Sequence, residues 1–237
     1  MVFSPTYHRE GDLCDACTLL SMTTDDGVEL EGAIYEPSNT TNTLLVFVGR
    51  SHDAVGIINK LSLTYPRSRV VAFNYRSYGK SEGRINETNL QNDAIKIAQL
   101  VEKNYGEFYL LGYSLGSSLA AYVAAIHPVR GVLLVGAFDS IASLAKSKFV
   151  DRGFIPYIDL SKVFRYKFRT GDYVSKVDAD IYLFVSKSDE ITYIDNAREL
   201  KSKVKNLKLY MELENLNHKE ILWDKKVTDK INEVINV

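Results

Sequence analysis

No stretch of the 237-residue chain approaches the ~18 uninterrupted apolar residues that a membrane-spanning helix needs. Residues 1–15 lack the basic leader and apolar core of a secretory signal, so a cytoplasmic location is expected. Charge of one sign is missing too. The 29 Lys and Arg nearly balance 30 Asp and Glu, and the net charge of −1 excludes the basic excess of a general nucleic-acid binder. Cysteine is scarce: Cys14 and Cys17 are the only two, too few for a disulfide scaffold and without the second pair of a zinc ribbon. A thioredoxin-like C-x-x-C would open a helix after a strand. This pair instead precedes a strand near the N-terminus and reads as incidental. Neither G-x-x-x-x-G-K-[ST] nor G-x-G-x-x-G occurs, so no phosphate loop is present, and neither an organic cofactor nor a metal is expected. What is left, 46% apolar and 25% charged, is the composition of a soluble domain. A chain of this length buries roughly 70–75% of its unfolded surface and needs no cross-links to fold.

The chain alternates between two kinds of segment. Residues 18–22 and 29–35 read as strands joined by the turn Thr24-Asp25-Asp26-Gly27. Apolar runs of strand length follow at 43–48, 69–73, 108–111, 131–135, 181–185 and 207–213. Most are continuous rather than alternating, as strands covered on both faces of a parallel sheet must be. Helical patterns fall between them at 54–63, 88–105, 114–126, 191–204 and 219–235. The alternation predicts one α/β domain, doubly wound around a mostly parallel eight-stranded sheet that starts with an antiparallel hairpin. Residues 137–180 break the rhythm. They interleave Phe149, Phe154, Tyr157, Phe164, Tyr166 and Phe168 with Lys146, Lys148, Arg152, Lys162, Arg165, Lys167 and Arg169. They read either as a structural helix pair or as a small cap over the carboxyl edge of the sheet, where ligands of such folds bind.

Chemistry is concentrated in Gly112-Tyr113-Ser114-Leu115-Gly116, which follows one predicted strand and opens a small-residue helix. That is the context of a G-x-S-x-G nucleophile elbow, in which a strained turn lifts the serine hydroxyl above the sheet. A serine hydroxyl needs a base to take its proton. Only four histidines are available. His8 lies in the polar N-terminal tail, His127 ends the elbow helix and His52 follows the strand at 43–48. Elbow enzymes place their partners in the chain order Ser, acid, His, and only His218 comes late enough to leave an acid between itself and Ser114. Asp189, directly after the strand at 181–185, is the acid preferred to orient the imidazole. Glu190 beside it and Asp139, after the strand at 131–135, are the alternatives.

These features are similar to those of the α/β-hydrolase superfamily, most of all its compact single-domain serine hydrolases. Besides the elbow, Phe73-Asn74-Tyr75-Arg76-Ser77-Tyr78-Gly79-Lys80-Ser81-Glu82-Gly83 resembles that superfamily's D-Y-R-G-Y-G-x-S-x-G segment, and Asp189 and His218 match its acid and histidine. The resemblance implies the α/β-hydrolase fold and a serine hydrolase acting on an ester or thioester of a small or acylated substrate. It also implies an oxyanion hole built from the backbone amides of Leu115 and Ser51. The usual His-Gly is Gly49-Arg50 in this chain, and the usual Asp is Asn74. A peptidase, an acyltransferase or a non-catalytic binding protein on the same scaffold are the rival readings.

Overall fold

The computed structural model describes residues 2–7, 13–150, 153 and 160–236. Eight strands are present among them: β1 (Cys17–Thr23), β2 (Glu29–Tyr35), β3 (Asn42–Phe47), β4 (Ser68–Phe73), β5 (Phe108–Tyr113), β6 (Gly131–Val135), β7 (Asp180–Ser186) and β8 (Leu207–Leu213). They form one sheet in the order β1-β2-β4-β3-β5-β6-β7-β8. β1 and β2 pair antiparallel, β2 meets β4 antiparallel, and every pairing from β4 to β8 is parallel. All side chains of β3, β5 and β6 are buried, which explains why these strands read as unbroken apolar runs.

The helices are α1 (Ile58–Thr64), α2 (Glu87–Tyr105), α3 (Leu115–Ala124), α4 (Ile141–Ala145), α5 (Leu160–Val163), α6 (Thr170–Val174), α7 (Ile194–Lys203) and α8 (Lys225–Ile235). The chain steps from β3 to β4 in one direction along the sheet and from β4 to β5 in the other. Right-handed crossovers then send α1 and α2 to opposite faces. α8 returns to the α1 face, where Asn232 donates to the carbonyl of Thr64. α2, α3, α6 and α7 form a contiguous row on the other face. The doubly wound α/β-hydrolase architecture expected from the sequence is therefore the architecture observed.

Three helices start later than their apolar periodicity suggests, two of them because an aspartate takes the amides that would have begun the helix. Asp53 accepts from the amides of Val55 and Gly56, and α1 opens only at Ile58. Asp189 accepts from Ile191 and Thr192, and α7 opens at Ile194. The single helix expected at 219–235 is instead a 3-10 turn, Ile221–Trp223, followed by α8. Asp224 caps α8 through the amides of Lys226 and Val227, and its extended backbone separates the two pieces. Cys14 and Cys17, read as incidental, are joined by a disulfide that closes the turn into β1.

Between β6 and β7 the regular elements among the described residues are helices joined by irregular segments. α4 runs into a π-helical turn, Lys146–Val150, and α5 follows. α6 packs against α3 and α7 and so belongs to the body of the fold. Arg152, Phe154 and Tyr157 of the expected cap, and His8 of the tail, lie outside the described residues.

Candidate active site

β3, β5, β6, β7 and β8 are parallel, so the loops that follow them share one edge of the sheet, and Ser114, Asp189 and His218 lie on three of these loops. Ser114 joins β5 to α3 with φ 52° and ψ −117°, a left-handed conformation that costs a non-glycine residue about 1–3 kcal/mol. The two elbow glycines make that turn possible. A Cβ on Gly112 would lie 2.6 Å from the carbonyl oxygen of Gly116, and one on Gly116 would collide with the backbone of Phe47 and Val48. α3 is thereby docked against β3 backbone to backbone, with its first amides, unpartnered within the helix, beside Ser114.

Ser114 Oγ lies 2.8 Å from His218 Nε2, and His218 Nδ1 lies 2.7 Å from Asp189 Oδ2. All three residues are buried. Asp189 also accepts from the hydroxyl of Thr192 at 2.6 Å and from the amides of Ile191 and Thr192, both at 2.8 Å. Burial opposes its ionisation. The hydrogen bonds from His218 and Thr192 outweigh burial and hold the carboxyl below its ordinary value, so it stands as a carboxylate. Glu190, the alternative acid, instead accepts the backbone amide of His218 at 3.1 Å. Asp139 pairs with Lys203.

A cavity of about 190 Å³ opens over Ser114. Phe138, Ile141, Leu144, Ala145, Phe149 and Phe164 give it an apolar lining, with Arg50, Lys148, Glu190 and Thr192 as its polar members. Leu115 lines it, as does Arg50, whereas Ser51 is exposed and does not. Of the cap aromatics, Phe149 and Phe164 face the cavity. Tyr166 and the buried Phe168 turn away and pack against Phe3. Among the described residues no cluster of three or more His, Cys, Asp or Glu is placed to hold a metal ion, and no helix is long and apolar enough to cross a membrane.

A family model for the α/β-hydrolase fold matches residues 47–152, the stretch that contains the elbow. That match and the eight-stranded sheet together show the α/β-hydrolase fold. An esterase of Pyrococcus furiosus superposes on this chain with a TM-score of 0.74 over 98% of this chain and 97% of that one, at 16% identity. Two curated relatives match part of it. An uncharacterized protein of Acanthamoeba polyphaga mimivirus is 27% identical over 146 residues, covering 55% of this chain and 49% of the relative. An uncharacterized membrane protein of Saccharomyces cerevisiae is 30% identical over 147 residues, covering 59% and 48%. The aligned part thus spans about half the length of these relatives.

Several residues around the site were not given a role from the sequence. Tyr113, inside the elbow itself, stacks on the His218 ring at 5.2 Å and donates its hydroxyl to the His218 carbonyl at 2.8 Å. Tyr75 and Tyr78, in the segment after β4, donate to the carbonyls of Val48 and Arg50, each at 2.6 Å, and so hold the turn after β3. Asn74, which stands where the motif usually has Asp, receives the amide of Ala54 at 2.7 Å. Thr192 carries the one readable signal, a hydroxyl three residues after an aspartate that caps the intervening turn.

His52 stands edge-on to Tyr113 at 5.3 Å, with its Nδ1 buried and unpartnered. Burial, and then the charge on His218, push its imidazole below the ordinary value of 6.5. A histidine that is harder to protonate when folded favours the native state above pH 6.5. As the pH falls below that value the unfolded chain binds the proton first, and stability declines until the folded pKa is passed. Substituting His52→Phe keeps the ring contact and removes the titration. The Tm of the variant relative to wild type is therefore expected to rise between pH 8 and pH 5 in parallel thermal melts. A constant difference would contradict this assignment.

Proposed function

We propose that the protein is a serine hydrolase that cleaves a carboxylic ester or thioester through an acyl-enzyme. The observation that carries this reading is the hydrogen-bonded chain Ser114–His218–Asp189, hung from a strained elbow under an apolar cavity. His218 Nε2 takes the Ser114 proton as Oγ attacks the carbonyl carbon. The tetrahedral oxyanion is held by the amide of Leu115 and one from the turn carrying Arg50 and Ser51, each such donor being worth about 3–4 kcal/mol. Collapse expels the alcohol or thiol with the proton from His218. Water, deprotonated by the same imidazole, then releases the acid and restores Ser114. Asp189 holds the ring and stabilises the imidazolium. A purely binding role gives no account of the strained backbone at Ser114, because such strain persists only where the surroundings enforce it.

The apolar lining predicts selectivity. Its volume is below the roughly 300–1,000 Å³ of pockets that enclose drug-sized ligands, so it suits a short to medium acyl group. Each buried methylene contributes at most about 0.8 kcal/mol, or about fourfold in kcat/KM. With p-nitrophenyl esters, kcat/KM is expected to climb from acetyl and to stop climbing once the cavity is filled. A profile flat or falling from acetyl onwards would remove the apolar pocket from the reading. Product analysis in the presence of amines or alcohols separates hydrolysis from peptidase or acyltransferase chemistry.

A further inference from the structure

The N-terminal residues 2–6 do not trail over the surface. Val2 lines the same cavity as Ser114. Phe3 is buried, edge-on to Tyr166 at 4.9 Å and to Phe168 at 6.1 Å. The Ser4 amide donates to the Tyr78 hydroxyl at 2.9 Å, and the Thr6 carbonyl accepts from the amide of Gly79 at 2.8 Å. Tyr78 is itself buried and passes its proton to the carbonyl of Arg50, another residue of the cavity wall. A chain end is ordinarily mobile unless something ties it down. This one is tied by a buried aromatic ring and two backbone hydrogen bonds, and the tie places a branched aliphatic side chain at the cavity.

We infer that residues 2–6 are a fixed wall of the acyl pocket, and that Val2 is a specificity-determining residue limiting the length of the acyl chain. The inference rests on the serine-hydrolase reading for its substrate class, while the wall itself rests on the contacts above. Val2 belongs to no motif, and its aliphatic side chain carries no group that could take part in the chemistry. Its effect is therefore on which acyl groups fit, not on the chemical step.

The test compares wild type, Val2→Ala and Val2→Trp, with any purification tag at the C-terminus so that the segment is undisturbed. Two readouts are taken: kcat/KM for p-nitrophenyl esters from acetyl to octanoyl, and calorimetric binding of the matching carboxylates. Val2→Ala is expected to move both optima to longer chains, with about fourfold gained for each extra methylene accommodated. Val2→Trp is expected to cut butanoyl and longer substrates by tenfold or more, on the order of two lost methylenes, while sparing acetyl. Profiles of the three proteins that superimpose in both readouts overturn the wall. If binding shifts with Val2 but wild type turns over no ester, the wall stands and the serine-hydrolase reading falls.

Discussion

Replacing Ser114 with alanine is expected to abolish labelling by a fluorophosphonate and to lower ester turnover by about 10⁶-fold, the scale seen when the nucleophile of such a unit is removed. The change deletes one oxygen. It adds no volume, and alanine carries the same Cβ as serine, so the left-handed backbone at this position is no more strained than before. The hydroxyl's hydrogen bond to His218 is lost, but its backbone carbonyl still accepts from the amide and hydroxyl of Ser117. A cooperative melt within a few degrees of wild type should accompany the loss of activity. A folded Ser114→Ala protein that still took up the probe and kept its esterase activity would refute the proposed nucleophile. Any residual turnover should come from the oxyanion donors and substrate binding alone.

The second large effect concerns the proton. His218→Ala should approach the loss expected for Ser114→Ala, and the double variant should be scarcely worse than either, because the two groups act as one unit. Asp189→Asn should cost about 10⁴-fold in kcat. The amide can preserve the geometry, yet it can present a donor to Nδ1 and favour the tautomer in which Nε2 already holds a proton. The hydroxyl and two amides that now converge on the Asp189 carboxylate would also lose a charged acceptor. His52→Ala provides the contrast. It touches Tyr113 and not the reacting atoms, so a loss below about tenfold is expected, on the scale of a truncated supporting contact near 1 kcal/mol. Steady-state kinetics on the four variants decide the ranking. If His52→Ala were as damaging as His218→Ala, the assignment of the base would have to be abandoned.

The strands could be read from sequence to within one or two residues at most ends because their signal is local. A run buried on both faces has to be continuously apolar, and the bounds of β6 follow directly from this. Helix starts were harder. Asp53, Asp189 and Asn217 each divert amides that periodicity alone assigns to a helix, and whether such a residue does this depends on backbone angles that the letter does not carry. Ser114, His218 and Asp189 were legible through a five-residue motif, the scarcity of histidine and the order along the chain. The structure brings these three within hydrogen-bond distance of one another. Tyr78 and Val2 could not be found that way. Each acts across a separation in sequence with no fixed spacing, such as the 74 residues between Ser4 and Tyr78. The aromatics of the cap show the same limit. Composition gave Phe164 and Phe168 equal standing, yet one lines the cavity and the other is locked under Phe3 by tertiary contacts.

The ring and hydroxyl of Tyr113 change what the loop after β8 must accomplish. His218 reaches the site on the loop after β8, three residues beyond Asn215, whose backbone is left-handed. Tyr113 is the covalent neighbour of Ser114, and it grips His218 twice, by its face and by the main-chain carbonyl, across 105 residues of sequence. The proposed proton acceptor is therefore tied to the strand that carries the proposed nucleophile. Under the proposed mechanism, these two contacts hold the imidazole beside the hydroxyl, so that the oxygen and nitrogen meet at a high effective concentration.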